Sequence, residues 1–310
     1  MEKSNPFISV DYWITKCNVF IDSTYKYGKP DYMYEKEIET AKNSYTKPII
    51  LIKTDLLPTY IFLLLDINFE FILITVSNDD HCVPTLYYPP KNEIYANNVL
   101  KLLDKQELLC WYTKNPGVNH DKLIGVPLGP KWQWKTTQFF GESKKKHLEI
   151  YNTHCLTPRE NMLDTDLKEE LLYLNFTTQT TGNPLYSPHR NMRNIAKTAF
   201  IKNGFTWNQN EPFEDYINTL RKYKFSVSPP GRGIDTHRTW ESLMVGTIPI
   251  MISTTQDHLF KNLPVIIINN NEWESLTREV LEKKYKTIIN NINNYNFDIL
   301  YTNYWDNLLH

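Results

Sequence analysis

Residues 225–253 read FSVSPPGRGIDTHRTWESLMVGTIPIMIS, and no other stretch restricts the fold of this chain as tightly. Residues 225–228 alternate apolar and small polar side chains, the period of a strand, and Pro229 and Pro230 end it because proline brings no N–H to the ladder. Gly231 and Gly233 bracket Arg232, which predicts a turn with positive φ values that approaches a ligand closely while a guanidinium projects from it. Asp235 stands where an N-cap is expected for a helix beginning near Thr236, and Gly246 stands where that helix should stop, before an apolar strand over 247–252. The unit is strand, loop, helix, strand.

At about 100° per residue, His237, Arg238 and Glu241 share one arc of this helix and Trp240, Leu243 and Met244 another. One face packs; the other offers charge. Cations in a first helical turn oppose the helix dipole unless an anion is bound there. Arg232 and Arg238 are therefore expected to clamp a diphosphate, with Ser228, Pro230, Gly231, Gly233, Asp235, Thr236 and His237 completing the cradle. Glu241, one turn deeper, is placed to accept from two adjacent hydroxyls, as a ribose supplies. Arg238 and Glu241 also fit an ordinary i,i+3 surface pair, and the glycines a plain turn. The coincidence of prolines, glycines, two arginines and a helix-borne glutamate favours the anion site.

SPPGRGIDTHRTWESLMVGTIPIM resembles the donor-site segment of the exostosin-like glycosyltransferases, and DHLFKNLPVIIINNNEW (257–273) continues the resemblance more loosely. VSNDDHCVP, GVPLGP and LLYLNFTTQTTGNPLYSPHR are similar in placement only. The resemblance implies the GT-B architecture, two Rossmann-like domains facing a cleft with a C-terminal helical tail crossing back, and a nucleotide diphosphate sugar as donor substrate. It implies no cofactor and no metal, and it covers the C-terminal half far better than the N-terminal half.

The pattern along the chain agrees with an α/β fold. Strand-like runs recur at 18–22, 48–52, 71–76, 108–112 and 123–126, with helix-compatible segments at 35–43, 57–66 and 94–105. The second half repeats the theme, with strands at 171–176, 224–228, 247–252 and 265–268 and helices at 192–203, 213–222 and 236–245. Such alternation predicts largely parallel sheets. With 310 residues, two domains of ordinary size fit, set at 1–155 and 156–310 with the boundary in a polar stretch. Tyr301, Tyr304 and Trp305 in the tail have helical spacing and are expected to pack.

Beyond the cradle, ligands of parallel sheets lie past the carboxyl ends of the strands, which directs attention to Ser77 through His81. If transfer is inverting, as in plant-type members of the resembled family, a base must take the acceptor proton, and Asp79 or Asp80 is the candidate, with His81 and Asp22 behind them. One aspartate capping a turn and the other solvated is the alternative. Arg190 in NPLYSPHR is a further candidate for the donor phosphate, with a solvated loop arginine as the other reading; Tyr186 and His189 could stack on a base or sugar, or pin the loop. Asp164, Thr165 and Asp166 form a DxD triplet, but its setting before a polar run favours capping over a metal.

Composition narrows the partners. Lys plus Arg 34 against Asp plus Glu 35 creates no global field to recruit nucleic acid, and Lys144, Lys145 and Lys146 read as a solvated loop. Four scattered cysteines without CxxC spacing point away from structural zinc and disulfide frameworks. The N-terminus lacks a signal-peptide core and the most apolar run, 60–65, is too short to span a bilayer, so a soluble, cytoplasmic protein is expected. The expected reaction is transfer of a sugar from its nucleotide diphosphate to a hydroxyl of a glycan or glycosylated acceptor, inverting and metal-independent. A non-catalytic nucleotide-sugar or glycan-binding protein and a GT-B-like epimerase are the alternatives. Oligomeric state is not readable.

Overall fold

The structure, a computed structural model, describes residues 7–22, 31–76, 83, 93–131, 138–178, 191–269 and 272–309. These form two compact units: residues 10–126, and residues 7–9 together with the described residues from 127 onward. The contacts part the chain between Val126 and Pro127, where the sequence reading set 155/156.

The N-terminal unit carries a five-stranded parallel sheet in sequence order, β1 (Val19–Ile21), β2 (Ile49–Lys53), β3 (Phe71–Val76), β4 (Leu108–Thr113) and β5 (Leu123–Gly125). Right-handed crossovers that always step in one direction deliver their helices to one face. Helices α2 (Asp31–Ser44), α3 (Leu57–Leu65) and α4 (Glu93–Asp104) accordingly share one core with alternate strand residues. In that core Tyr34, Tyr60 and Val99 meet Ile21, Ile50, Leu73 and Trp111. The opposite face is covered by the short helix α1 (Val10–Lys16), whose Trp13 stacks on Tyr112 at 5.8 Å. All six β3 residues are buried, which is why FILITV reads as an unbroken apolar run.

The C-terminal unit carries a second parallel sheet, β6 (Glu170–Tyr173), β7 (Tyr223–Val227), β8 (Ile248–Ile252) and β9 (Ile266–Ile268), again in sequence order. Among the described strands neither sheet reverses its order, so topology alone singles out no switch-point crevice. The helices are α5 (Gln138–His154), α6 (Pro158–Leu163), α7 (Met192–Lys202), α8 (Phe213–Leu220), α9 (His237–Met244), α10 (Asp257–Phe260), α11 (Arg278–Asn290) and α12 (Thr302–Leu309). On β7, Phe225 meets Tyr285 of α11, whereas Ser226 hydrogen-bonds Ser242 of α9 at 2.7 Å, so helices cover both faces.

Helix α9 ends as its glycine predicts. Gly246 has φ +73°; its N–H donates to Leu243 and that of Thr247 to Ser242 at 2.8 Å, the paired bonds of a Schellman stop. Helix α5 had no clear periodic signal. Its inward stripe is His147, Ile150, Tyr151 and then Cys155, helical in spacing but half polar in type. The tail belongs to the C-terminal unit: Trp305 is buried, and Tyr301 stacks on Phe7 at 5.5 Å. Among the described residues no helix is long and apolar enough to cross a membrane.

Candidate functional site

The loop after β7 is held by side chains on both sides of the turn. Ser228 is buried, continues the sheet through its N–H to Ile250 at 2.8 Å, and hydrogen-bonds the hydroxyls of Thr236 and Thr239 at 3.0 and 2.8 Å. The expected positive φ values at Gly231 and Gly233 are not present; among the described residues the positive-φ glycines are Gly129, Gly204 and Gly246. Gly231 is needed for another reason. A Cβ there would stand 2.7 Å from Nη2 of Arg193, so absence of a side chain admits the guanidinium to the loop.

Arg193, in the first turn of α7, donates from Nε to Pro230 O at 2.9 Å and from Nη1 to Thr177 O at 2.8 Å. Burial, and then the neighbouring Arg238, push its pKa down to about 10. The sequence reading missed this residue. MRNIAK looks like the start of an ordinary surface helix, and the signal that would have found it is its place directly after the long loop before α7.

The guanidinium of Arg238 packs over two adjacent tyrosine rings, 5.5 Å from the centroid of Tyr173 and 5.2 Å from that of Tyr216. Its Nη1 is buried with no hydrogen-bond partner among the described residues. A guanidinium presents fixed N–H donors and cannot be neutralised at ordinary pH, so a buried donor of this kind is costly unless an acceptor arrives. Arg193, which contacts the Pro230–Gly231 turn, lies close enough to Arg238 for the two charges to repel, so two guanidinium groups gather in one part of this unit.

Other cradle residues do different work. Asp235 is not the N-cap, a position held by Thr236. Its buried carboxylate accepts from Thr236 N at 2.7 Å, Leu128 N at 2.8 Å and Trp240 Nε1 at 2.7 Å, bracketing the helix start to the chain at residue 128. His237 Nδ1 lies 2.8 Å from Gly129 O; a carbonyl only accepts, so Nδ1 carries a proton. Glu241 is 3% exposed and, in place of the expected sugar hydroxyls, takes Lys131 N at 2.9 Å and Tyr151 OH at 3.2 Å on Oε1 and Tyr216 OH at 2.9 Å on Oε2. The polar arc of α9 thus binds the chain's own residues 128–131. Burial raises the Tyr216 and Tyr151 hydroxyls well above their ordinary range, with the Glu241 charge adding to it, so both remain donors.

The structure therefore brings Ser228, Pro230, Gly231, Thr236 and Arg238 together with Arg193, Tyr173 and Tyr216. Arg232 is exposed, and Gly233 O accepts from Gly231 N at 3.0 Å. Asp79, Asp80, His81, Tyr186, His189 and Arg190 lie outside the described residues. Asp22, at the end of β1, sits 3.9 Å from Lys53 Nζ. Asp164 accepts from Leu167 N at 3.0 Å, so it stabilises a turn where a helix N-terminus was expected. Lys146 pairs with Glu214 at 2.6 Å on the surface. Among the described residues there is no group of three or more His, Cys, Asp or Glu side chains that could hold a metal ion. Compared with known proteins, the chain matches no protein-family model and no curated protein sequence.

Proposed function

We propose that this chain is a glycosyltransferase of the exostosin-like type with GT-B architecture, using a nucleotide diphosphate sugar as donor and a hydroxyl of a glycan or glycosylated molecule as acceptor. The observation that carries the reading is the buried, unpartnered Nη1 of Arg238, packed over Tyr173 and Tyr216 and near Arg193, which in turn contacts the Pro230–Gly231 turn. Positive charge fixed at that place stabilises the diphosphate as it leaves, without a resident metal. The acceptor oxygen forms the new bond to the anomeric carbon while the bond to the diphosphate oxygen breaks. The acceptor proton goes to a base, for which Asp79 and Asp80 remain the sequence candidates.

A nucleotide-sugar-binding protein without transferase activity is the second reading. It is favoured by the engagement of Asp235 and Glu241, the carboxylates nearest the cradle in sequence, with the chain's own donors. Donor hydrolysis and binding measured on wild type, Arg238→Ala and Arg193→Ala separate the cases. Loss of both in the variants supports the transferase, binding without any turnover supports the second reading, and unchanged binding in both variants sinks the site.

A further inference from the structure

We infer that Trp207 is the platform on which a nucleobase stacks when a nucleoside diphosphate occupies the Arg193–Arg238 site, an inference that rests on the proposed anion site. The indole and the anion site are linked through consecutive residues at the carboxyl end of β6. Thr177 O accepts from Arg193 Nη1 at 2.8 Å, and the preceding residue, Phe176, packs edge-on against Trp207 with centroids 5.1 Å apart. One helical turn beyond Arg193, on the same face of α7, Lys197 places its ammonium 4.0 Å from the centroid of the Trp207 ring. Two cations one turn apart thus run from the phosphate site to the indole.

Trp207 is also placed rigidly and left accessible. Its loop is pinned to the strand end on the next two residues: Asn208 N donates to Leu174 O and Leu174 N to Asn208 Oδ1, both at 2.9 Å, and Gln209 O accepts from Asn175 Nδ2. Trp240, Trp273 and Trp305 of the same unit are fully buried, whereas Trp207 is half-buried in the polar stretch TWNQNE. A base has a π-face to offer the face of the indole that Lys197 does not cover, so the ligand class is a nucleoside diphosphate.

The test is calorimetric titration of the full chain with inorganic pyrophosphate and with UDP, GDP, ADP and CDP, on wild type, Trp207→Leu and Trp207→Phe. The expected result is that the best nucleoside diphosphate binds wild type about tenfold more tightly than pyrophosphate, within the range of base-on-aromatic stacking. Trp207→Leu loses that excess while its pyrophosphate affinity is unchanged, and Trp207→Phe keeps part of it. As a readout that does not require the leucine variant to fold, the nucleotide but not pyrophosphate quenches wild-type tryptophan emission, and the quench is missing in Trp207→Phe. A nucleotide excess that survives Trp207→Leu, or a quench that survives Trp207→Phe, overturns the inference. Pyrophosphate binding with no nucleotide excess in wild type overturns it and leaves the anion site standing; binding of neither overturns both.

Discussion

Tyr216 donates its hydroxyl to Oε2 of Glu241 at 2.9 Å, and the ring that carries this hydroxyl forms one wall of the Arg238 guanidinium. The buried Glu241 carboxylate and the half-buried Arg238 guanidinium on α9 are thus organised by the same aromatic residue from α8. Glu241 therefore supports the site from behind, as an acceptor for three donors of its own chain.

Replacing Glu241 by alanine leaves the Tyr216 and Tyr151 hydroxyls and Lys131 N–H without their acceptor. The expected loss of stability is about 2–4 kcal/mol in the absence of any ligand, read by urea denaturation. A ligand-only role would leave the free protein's stability unchanged and weaken nucleotide binding alone.

Arg238 and a lysine are not equivalent over the two rings of Tyr173 and Tyr216. Arg238→Lys keeps the charge but loses the planar group and its fixed N–H edge. Pyrophosphate affinity is expected to fall about tenfold in Arg238→Lys and further in Arg238→Ala, with calorimetry as the measurement.

Gly231→Ala puts a methyl 2.7 Å from Arg193 Nη2, the far end of a flexible side chain. Stability should change by less than about 1 kcal/mol, while pyrophosphate binding weakens because the guanidinium must leave the loop. Gly246→Ala is expected to behave in the opposite way. Its positive φ and the Met162 N atom 2.5 Å from the new Cβ make the cost structural, about 2 kcal/mol or more in thermal unfolding.

Lys168 is buried, and its ammonium donates to Arg221 O at 2.6 Å and to Val245 O and Thr247 Oγ1 at 3.3 Å, joining the ends of α8 and α9. Burial, and then Arg221, push its pKa down from 10.5 to about 7. Between these two values the unfolded chain holds the proton that the folded chain releases, so Lys168 makes stability rise with pH from about 7 toward 10.5. Denaturation of wild type and Lys168→Met across that window should show a rise in the former that the latter lacks; parallel profiles would refute it.

Much of the architecture is written in local pattern. The runs 71–76 and 108–112 coincide with β3 and β4 to within a residue, and α9 and its stop at Gly246 fall where polarity and glycine place them. These features depend on which faces of a short segment avoid water and on where the backbone lacks a Cβ, both of which a sequence carries directly. Helix α5 escaped because its inward stripe includes a histidine and a tyrosine whose burial is made acceptable by Phe213 and Glu241, partners far along the chain.

The same distinction runs through the site. By itself the sequence determined that a strand, a Pro-Gly turn and a charged helix follow one another, and that Arg238 lies on the polar side. Only the tertiary structure decided which polar groups are spent inside. Segment 128–131 folds onto α9 and consumes Asp235, His237 and Glu241, whereas Arg238 is walled by Tyr173 and Tyr216 and joined by Arg193. Hydrogen-bond capacity is finite and buried donors must be matched, so a side chain's role follows from the partner that reaches it first, and that partner is set by contacts between residues distant in the chain.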